Sequence, residues 1–287
     1  MRATRFFAAG LLFFLILIPG RLPALELRLF GGAGNLAFDP AAEEALSDTA
    51  GRFEPHLYPW GQISLAGKFS DMTDFRASYE RDPLLGNRIV ANVGIQFNAI
   101  RVDFGPFISP FNTKEQPIST GIAAALGFEF PGILFGSIQA ASTIGSLATL
   151  PGEYVQQTGE LSLGFWVPYV VCAFSINTKS FTQRKSDELL IKDDHIRYQF
   201  RADVFTKNVP YTVYIDMGFQ SLKRSYIPSQ AESVTDELKS IYIGFEGSYR
   251  IVPAFRLVLG MEMPVYAWGE QPLKSPEKNA VLYQVQG

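Results

Sequence analysis

From Ile196 to Phe219 the chain alternates, residue by residue, between an apolar set and a polar one. One face carries Ile196, Tyr198, Phe200, Ala202 and Val204, then Tyr211, Val213, Ile215, Met217 and Phe219. The other carries Arg197, Gln199, Arg201, Asp203, Thr212 and Asp216. A period of two belongs to β-strands, whose successive side chains point to opposite faces. The contrast recurs along almost the whole chain and predicts fourteen strand arms. They begin at Leu25, Gly61, Phe75, Arg88, Ile100, Ser119, Ile133, Gln157, Val170, His195, Tyr211, Ser240, Phe255 and Ala280. Most are about 9 to 12 residues long, the length a tilted membrane strand needs. The arm from Ile133 alternates poorly and the arm from Ala280 is short, so 12 strands stand as the alternative to 14.

The connections alternate in length. Short turns fall at Asp71 to Asp74, Asn98 to Ala99, Pro131 to Gly132, Pro168 to Tyr169, Lys207 to Pro210 and Ile251 to Ala254. Longer polar segments fall at Asp39 to Trp60, Asp82 to Asn87, Ser109 to Ile118, Thr143 to Gln156, Ser180 to Asp194, Leu222 to Lys239 and Gly269 to Asn279. A soluble sandwich has no reason to sort its loops by end. An outer-membrane barrel puts short turns on the periplasmic side and long loops outside, with an even strand count. The expected fold is therefore all-β, a transmembrane antiparallel up-and-down β-barrel. Aromatic residues cluster at the arm ends and predict two interfacial girdles. Phe69, Phe75, Phe97, Phe104, Phe130, Trp166, Phe205, Tyr211, Tyr249 and Phe255 flank the short turns, while Trp60, Tyr79, Phe107, Phe219 and Trp268 flank the loops.

The chain opens with Arg2 and Arg5, an apolar run from Phe6 to Ile18, then Pro19, Gly20 and the small Ala24. The run is shorter than the roughly 20 residues a spanning helix requires. It reads as a secretory signal peptide over residues 1–24, followed by a barrel domain over 25–287. No later stretch is apolar and long enough for a transmembrane helix. The lone Cys172 excludes an intramolecular disulfide framework and sits on the apolar face with Val170, Phe174 and Ile176. A net charge of −3 excludes a broadly basic nucleic-acid surface.

Through its signal peptide, strand arms and loop asymmetry, the chain resembles bacterial outer-membrane β-barrel proteins over nearly all its mature length. The resemblance implies an outer-membrane location, the surrounding lipid and the barrel-assembly machinery as partners, and no cofactor. Members commonly finish on an aromatic residue; here only Tyr283 is near the end. The long-chain fatty acid transporters also have 14 strands but carry a long N-terminal plug before the barrel, whereas here the first strand begins almost at once after Ala24, so a match to that family is not expected.

Candidate chemistry is sparse. Gly31 to Ala37 reads GGAGNLA, but the preceding strand holds Glu26 and Arg28, so the parallel-strand context of a dinucleotide fingerprint is absent. Asp39 and Pro40 are suited to start a short loop helix over 41–46. Neither His56 nor His195 has the serine partner used by outer-membrane lipid hydrolases. Asp193 and His195 have the spacing of omptin-type proteases, yet the acid pair Asp71 and Asp74 lies at the opposite end. No enzyme activity is expected, and no catalytic, cofactor or metal residue is assigned.

The inward polar face carries the candidate pore-lining residues. They are Arg76, Glu80, Arg101, Asp103, Glu129, Glu160, Arg197, Arg201, Asp203, Asp216, Glu246, Arg250, Arg256 and Glu262. Arg76, Arg101, Glu129, Asp203, Arg250 and Arg256, with Glu26 and Arg28, would form a mixed ring at the periplasmic mouth. Small inward residues such as Ala123, Gly127 and Gly164 leave space between them. Barrels of about 8 strands fill themselves and those of 16 to 18 leave a wide channel, so 14 implies something between. The expected function is a narrow water-filled channel for passive diffusion of small hydrophilic solutes. The alternative is a closed or nearly closed barrel that serves as a surface scaffold, presenting its loops to extracellular ligands.

Overall fold

The computed structural model of the chain describes residues 26–36, 55–82, 85–109, 119–146, 153–185, 188–204, 211–226, 234–252, 255–270 and 284–286. The expected signal peptide and loop helix lie outside the described residues. The strands are β1 (Glu26–Leu36), β2 (Pro55–Lys68), β3 (Thr73–Asp82), β4 (Gly86–Phe97), β5 (Ile100–Ser109), β6 (Ser119–Phe130) and β7 (Leu134–Ser146). They continue with β8 (Glu153–Val167), β9 (Val170–Lys185), β10 (Glu188–Val204), β11 (Tyr211–Tyr226), β12 (Val234–Val252), β13 (Phe255–Glu270) and β14 (Gln284–Gln286). Neighbours in the chain pair antiparallel throughout. β14 pairs with both β13 and β1, which closes the sheet into a barrel of fourteen strands. The poorly alternating arm near Ile133 is the full strand β7.

Alternation decides what each face meets. Phe200 is 41% exposed on the outside, while its neighbour Arg201 points inward to Glu246. Ile63, Leu126, Ile138, Leu161, Phe174, Met217 and Leu259 continue the exposed apolar surface around the wall. So large an apolar exterior is stable only against lipid. Closure pairs the backbone groups within the sheet, the condition for strands to cross hydrocarbon.

Two of the expected short turns are two-residue links. Asn98 (φ 48°) and Tyr169 (φ 70°) adopt left-handed backbone conformations, as two-residue hairpin turns require. Phe97, Phe104, Phe130, Tyr211 and Tyr249 form an exposed aromatic girdle beside these turns. Tyr198, Phe219, Trp268 and Tyr266 form the opposite one, with ring centroids 5.3 to 6.2 Å apart. Two expected girdle members belong to the interior instead. Phe107 is 1% exposed because its ring covers Gly121 on β6, and Trp166 turns inward against Phe135, with centroids 4.6 Å apart.

The wall is uneven in height. Strands β3 to β6 have 10 to 12 residues, whereas β8 to β13 have 15 to 19. The segments expected as long loops at Ser180 to Asp194 and Leu222 to Lys239 are mostly strand. Beyond the lipid the contrast changes sense, with Phe181, Leu222 and Leu238 buried inward and Asp194, Lys223 and Glu237 facing out, so the pattern of a lipid-facing strand disappears from the sequence.

Candidate functional site in the barrel lumen

Among the described side chains, four clusters pair inward charges drawn from strands one to three apart, and Arg28 pairs with Glu26 within β1 at 2.7 Å. At the short-turn end, Arg101 on β5 donates to Asp74 on β3 (2.7 Å twice) and to Asp103 (2.6 and 2.8 Å). On the far wall Arg201 bonds Asp203 (3.2 Å) and Glu246 (3.0 Å), with its guanidinium 4.0 Å above the Tyr214 ring. Nearer the loops, Arg197 holds Glu262 at 2.6 Å and donates to the Tyr242 hydroxyl at 2.7 Å. Arg88 pairs with Glu80 at 2.7 Å, and Glu80 also accepts from Gln62 and Ser78.

The remaining expected residues are placed as follows. Glu160 accepts from Gln139 at 2.7 Å. Arg76 and Glu129 are exposed near the short turns, where Arg76 faces Asn92 and Glu129 faces Phe135 in the register. Arg250 and Arg256 are register partners on β12 and β13. Asp216 is 9% exposed, lies over Gly244, and its Oδ1 takes no hydrogen bond from the described residues. The buried Asn92 Oδ1 is in the same position. Buried polar atoms of this kind call for water or a polar solute. Asp193 and His195 share the inward face of β10, where His195 Nε2 is 3.4 Å from Gln220 Oε1.

The loop half of the lumen is packed. Val90, Phe107 and Ala141 form a buried cluster against Ala123. Leu85, Phe181, Leu238 and Tyr242 are each at most 4% exposed. Gln156 on β8 is 1% exposed, accepts from Ser109 Oγ at 2.7 Å and donates to the Leu85 carbonyl at 2.7 Å. Lys179 on β9 forms an ion pair with Asp82 on β3. These two strands stand six apart in a ring of fourteen, on opposite sides of the barrel. Fourteen strands at about 4.8 Å spacing make a round barrel at least about 21 Å across, too wide for lysine and aspartate to bridge. The wall is therefore flattened at this level, and the ion pair spans the lumen.

Sequence reading missed this latch. Asp82 sits at a loop boundary, Lys179 beside an expected loop and Asp74 in an expected turn, positions where alternation assigns no face. Gln156 and Tyr242 lack charge and carried no signal.

A closed, fourteen-stranded antiparallel barrel with an apolar exterior, two aromatic girdles and a polar interior defines a transmembrane β-barrel of the outer-membrane type. No family model matches the chain, and no curated protein does. Among solved structures, it is similar to a porin at 13% identity, covering 91% of this chain and 98% of that one, with a TM-score of 0.42. It is also similar to OmpT, an outer membrane protein of Vibrio cholerae, at 7% identity, 92% and 98% coverage and a TM-score of 0.39. A bacterial polysaccharide outer membrane secretin matches at 11% identity, 91% and 96% coverage and a TM-score of 0.39. At these scores the traces agree loosely, and the class follows from the barrel's own geometry.

Proposed function

We propose that the chain forms a narrow channel for small hydrophilic solutes and that the described conformation is its closed one. The observation that carries this reading is the Lys179–Asp82 pair, which joins opposite walls over a lumen lined with clustered charges. Half-buried charges such as Arg101 and Arg201 need water or partners, and the unpaired Asp216 Oδ1 adds to that demand. A hydrated vestibule under a packed gate meets it. The ion pair joins side chains that are 32% and 22% exposed, so breaking it costs little by itself and removes one of the contacts that hold the packed gate shut.

The test is single-channel recording of the refolded protein in a planar bilayer, for wild type, Lys179→Gln and Asp82→Asn. Wild type should show rare, brief openings, and each variant should raise the open probability about tenfold, corresponding to about 1.4 kcal/mol. Silence from all three folded proteins would instead support the second reading, a closed surface scaffold. The tall β9–β10 and β11–β12 hairpins, standing beyond the girdle, favour that second reading.

A further inference from the structure

Directly behind Lys179 the flattened wall forms a groove on the outside of the barrel. Ala140, Gly159 and Thr178 lie side by side in one register row across β7, β8 and β9, and their small side chains leave the surface recessed. The next row towards the loops is Ser142, Gln157 and Ser180, continuing through Asp194 to Lys223 and Glu237. Together these rows line a groove of about 550 Å³. That volume lies within the range of small-ligand sites.

Its position selects the occupant. Ile138 and Leu161, two residues below Ala140 and Gly159 on the same face, are 54% and 51% exposed to the lipid. On the far side, Ser221 follows the girdle residue Phe219 by two positions. The hydrocarbon surface therefore runs straight into the groove at the level of the headgroups. A molecule suited to it has acyl chains below and a polar head above.

The lining specifies that head. Lys223 points outward between Asp194 and Glu237 in the register and makes no ion pair among the described residues, leaving its ammonium available for a phosphate. Asp194 accepts from Ser180 at 2.7 Å and pairs with Lys192 at 2.8 Å. Glu237 accepts from Ser221 at 3.0 Å, and the Lys239 ammonium beside it holds its carboxyl below the usual carboxylate range. This ordered set of carboxylates, hydroxyls and the exposed Gln157 amide suits the hydroxyls of a sugar. We propose that the groove docks the phosphorylated sugar headgroup of an outer-leaflet glycolipid.

The experiment is native mass spectrometry of the refolded full chain in detergent, titrated with bis-phosphorylated lipid A or with phosphatidylglycerol. Variants are Ala140→Trp, which fills the groove, Lys223→Glu, which reverses its free charge, and Leu126→Trp, a control on the lipid face of β6. Heat-modifiable gel mobility confirms that each is folded. Wild type should retain one lipid A at least tenfold more tightly than phosphatidylglycerol. Ala140→Trp and Lys223→Glu should each lose that preference, and Leu126→Trp should keep it. Equal affinity for the two lipids in wild type would overturn the proposal, as would unchanged lipid A binding in folded Lys223→Glu.

Discussion

Arg101 grips the carboxylate of Asp74 with two hydrogen bonds of 2.7 Å, reaching from β5 over β4 to β3. The strand it crosses supplies Gly94 at that point. Any side chain there would stand 2.8 Å from Asp74 Oδ1 and 2.6 Å from Asp103 Oδ1, inside contact distance. The glycine is thus a condition of the ion pair, which joins two strands that share no ladder.

Gly94→Val should displace Arg101 and leave two carboxylates without their cation. The side chains of the Arg101–Asp74 pair are 31% and 26% exposed, so the loss is moderated by solvent, at about 1 to 2 kcal/mol. Gly247→Val is the control, because that glycine faces outward with open space around it. Urea unfolding in lipid vesicles should show the first change and a shift within about 0.5 kcal/mol for the second.

Phe200→Arg places a charge on the lipid face near mid-wall and should destabilise by roughly 2 to 4 kcal/mol. The adjacent Arg201→Gln loses ion pairs in a wet interior and should cost about 1 kcal/mol. Equal damage from the two in the same unfolding assay would contradict the facing of β10.

Phe107→Ala should cost about 3 kcal/mol, the scale of a large-to-small change in a dry core. The ring covers Gly121 and packs with Val90 and Ala141. If the loop half of the lumen were open to water, equilibrium unfolding would return a loss well under 1 kcal/mol.

Arg101→Gln leaves Asp74 and Asp103 facing the vestibule uncompensated. In a Lys179→Gln background, the cation-to-anion permeability ratio should rise roughly twofold or more, since rings of carboxylate favour cations. The reversal potential under a potassium chloride gradient reads this directly. No movement would remove Arg101 from the conduction path.

The barrel was legible where lipid imposes contrast. Phe200 against Arg201 and Met217 against Asp216 declare their faces because one meets hydrocarbon and the other water. Above the girdle that rule lapses: Asp194 and Lys223 point outward into water, and their strands read as loops. Inside, charge marked Arg197, Arg201 and Glu262 as lumen residues, but not which pairs they would form, since pairing depends on tilt and on the flattening of the wall. Nothing local in Asp82 or Lys179 announces that they meet across ninety-seven positions of sequence. Phe107 resembles a girdle residue because aromatics suit strand ends on either face; alternation with the outward Phe104 and Ile108 puts it inside, and Gly121 opposite makes room for its ring.

The difference in height between β3–β6 and β8–β13 makes the rim slant. On average about five extra residues at about 3.3 Å each lengthen one side by roughly 15 Å along the strand. The mouth therefore opens like a porch with a back wall. A molecule that approaches the barrel from the low side reaches the mouth directly, whereas one that approaches from the tall side strikes a polar screen first. A single molecule thus has a front and a back within the plane of the membrane, and neighbours that pack around it will sense which is which.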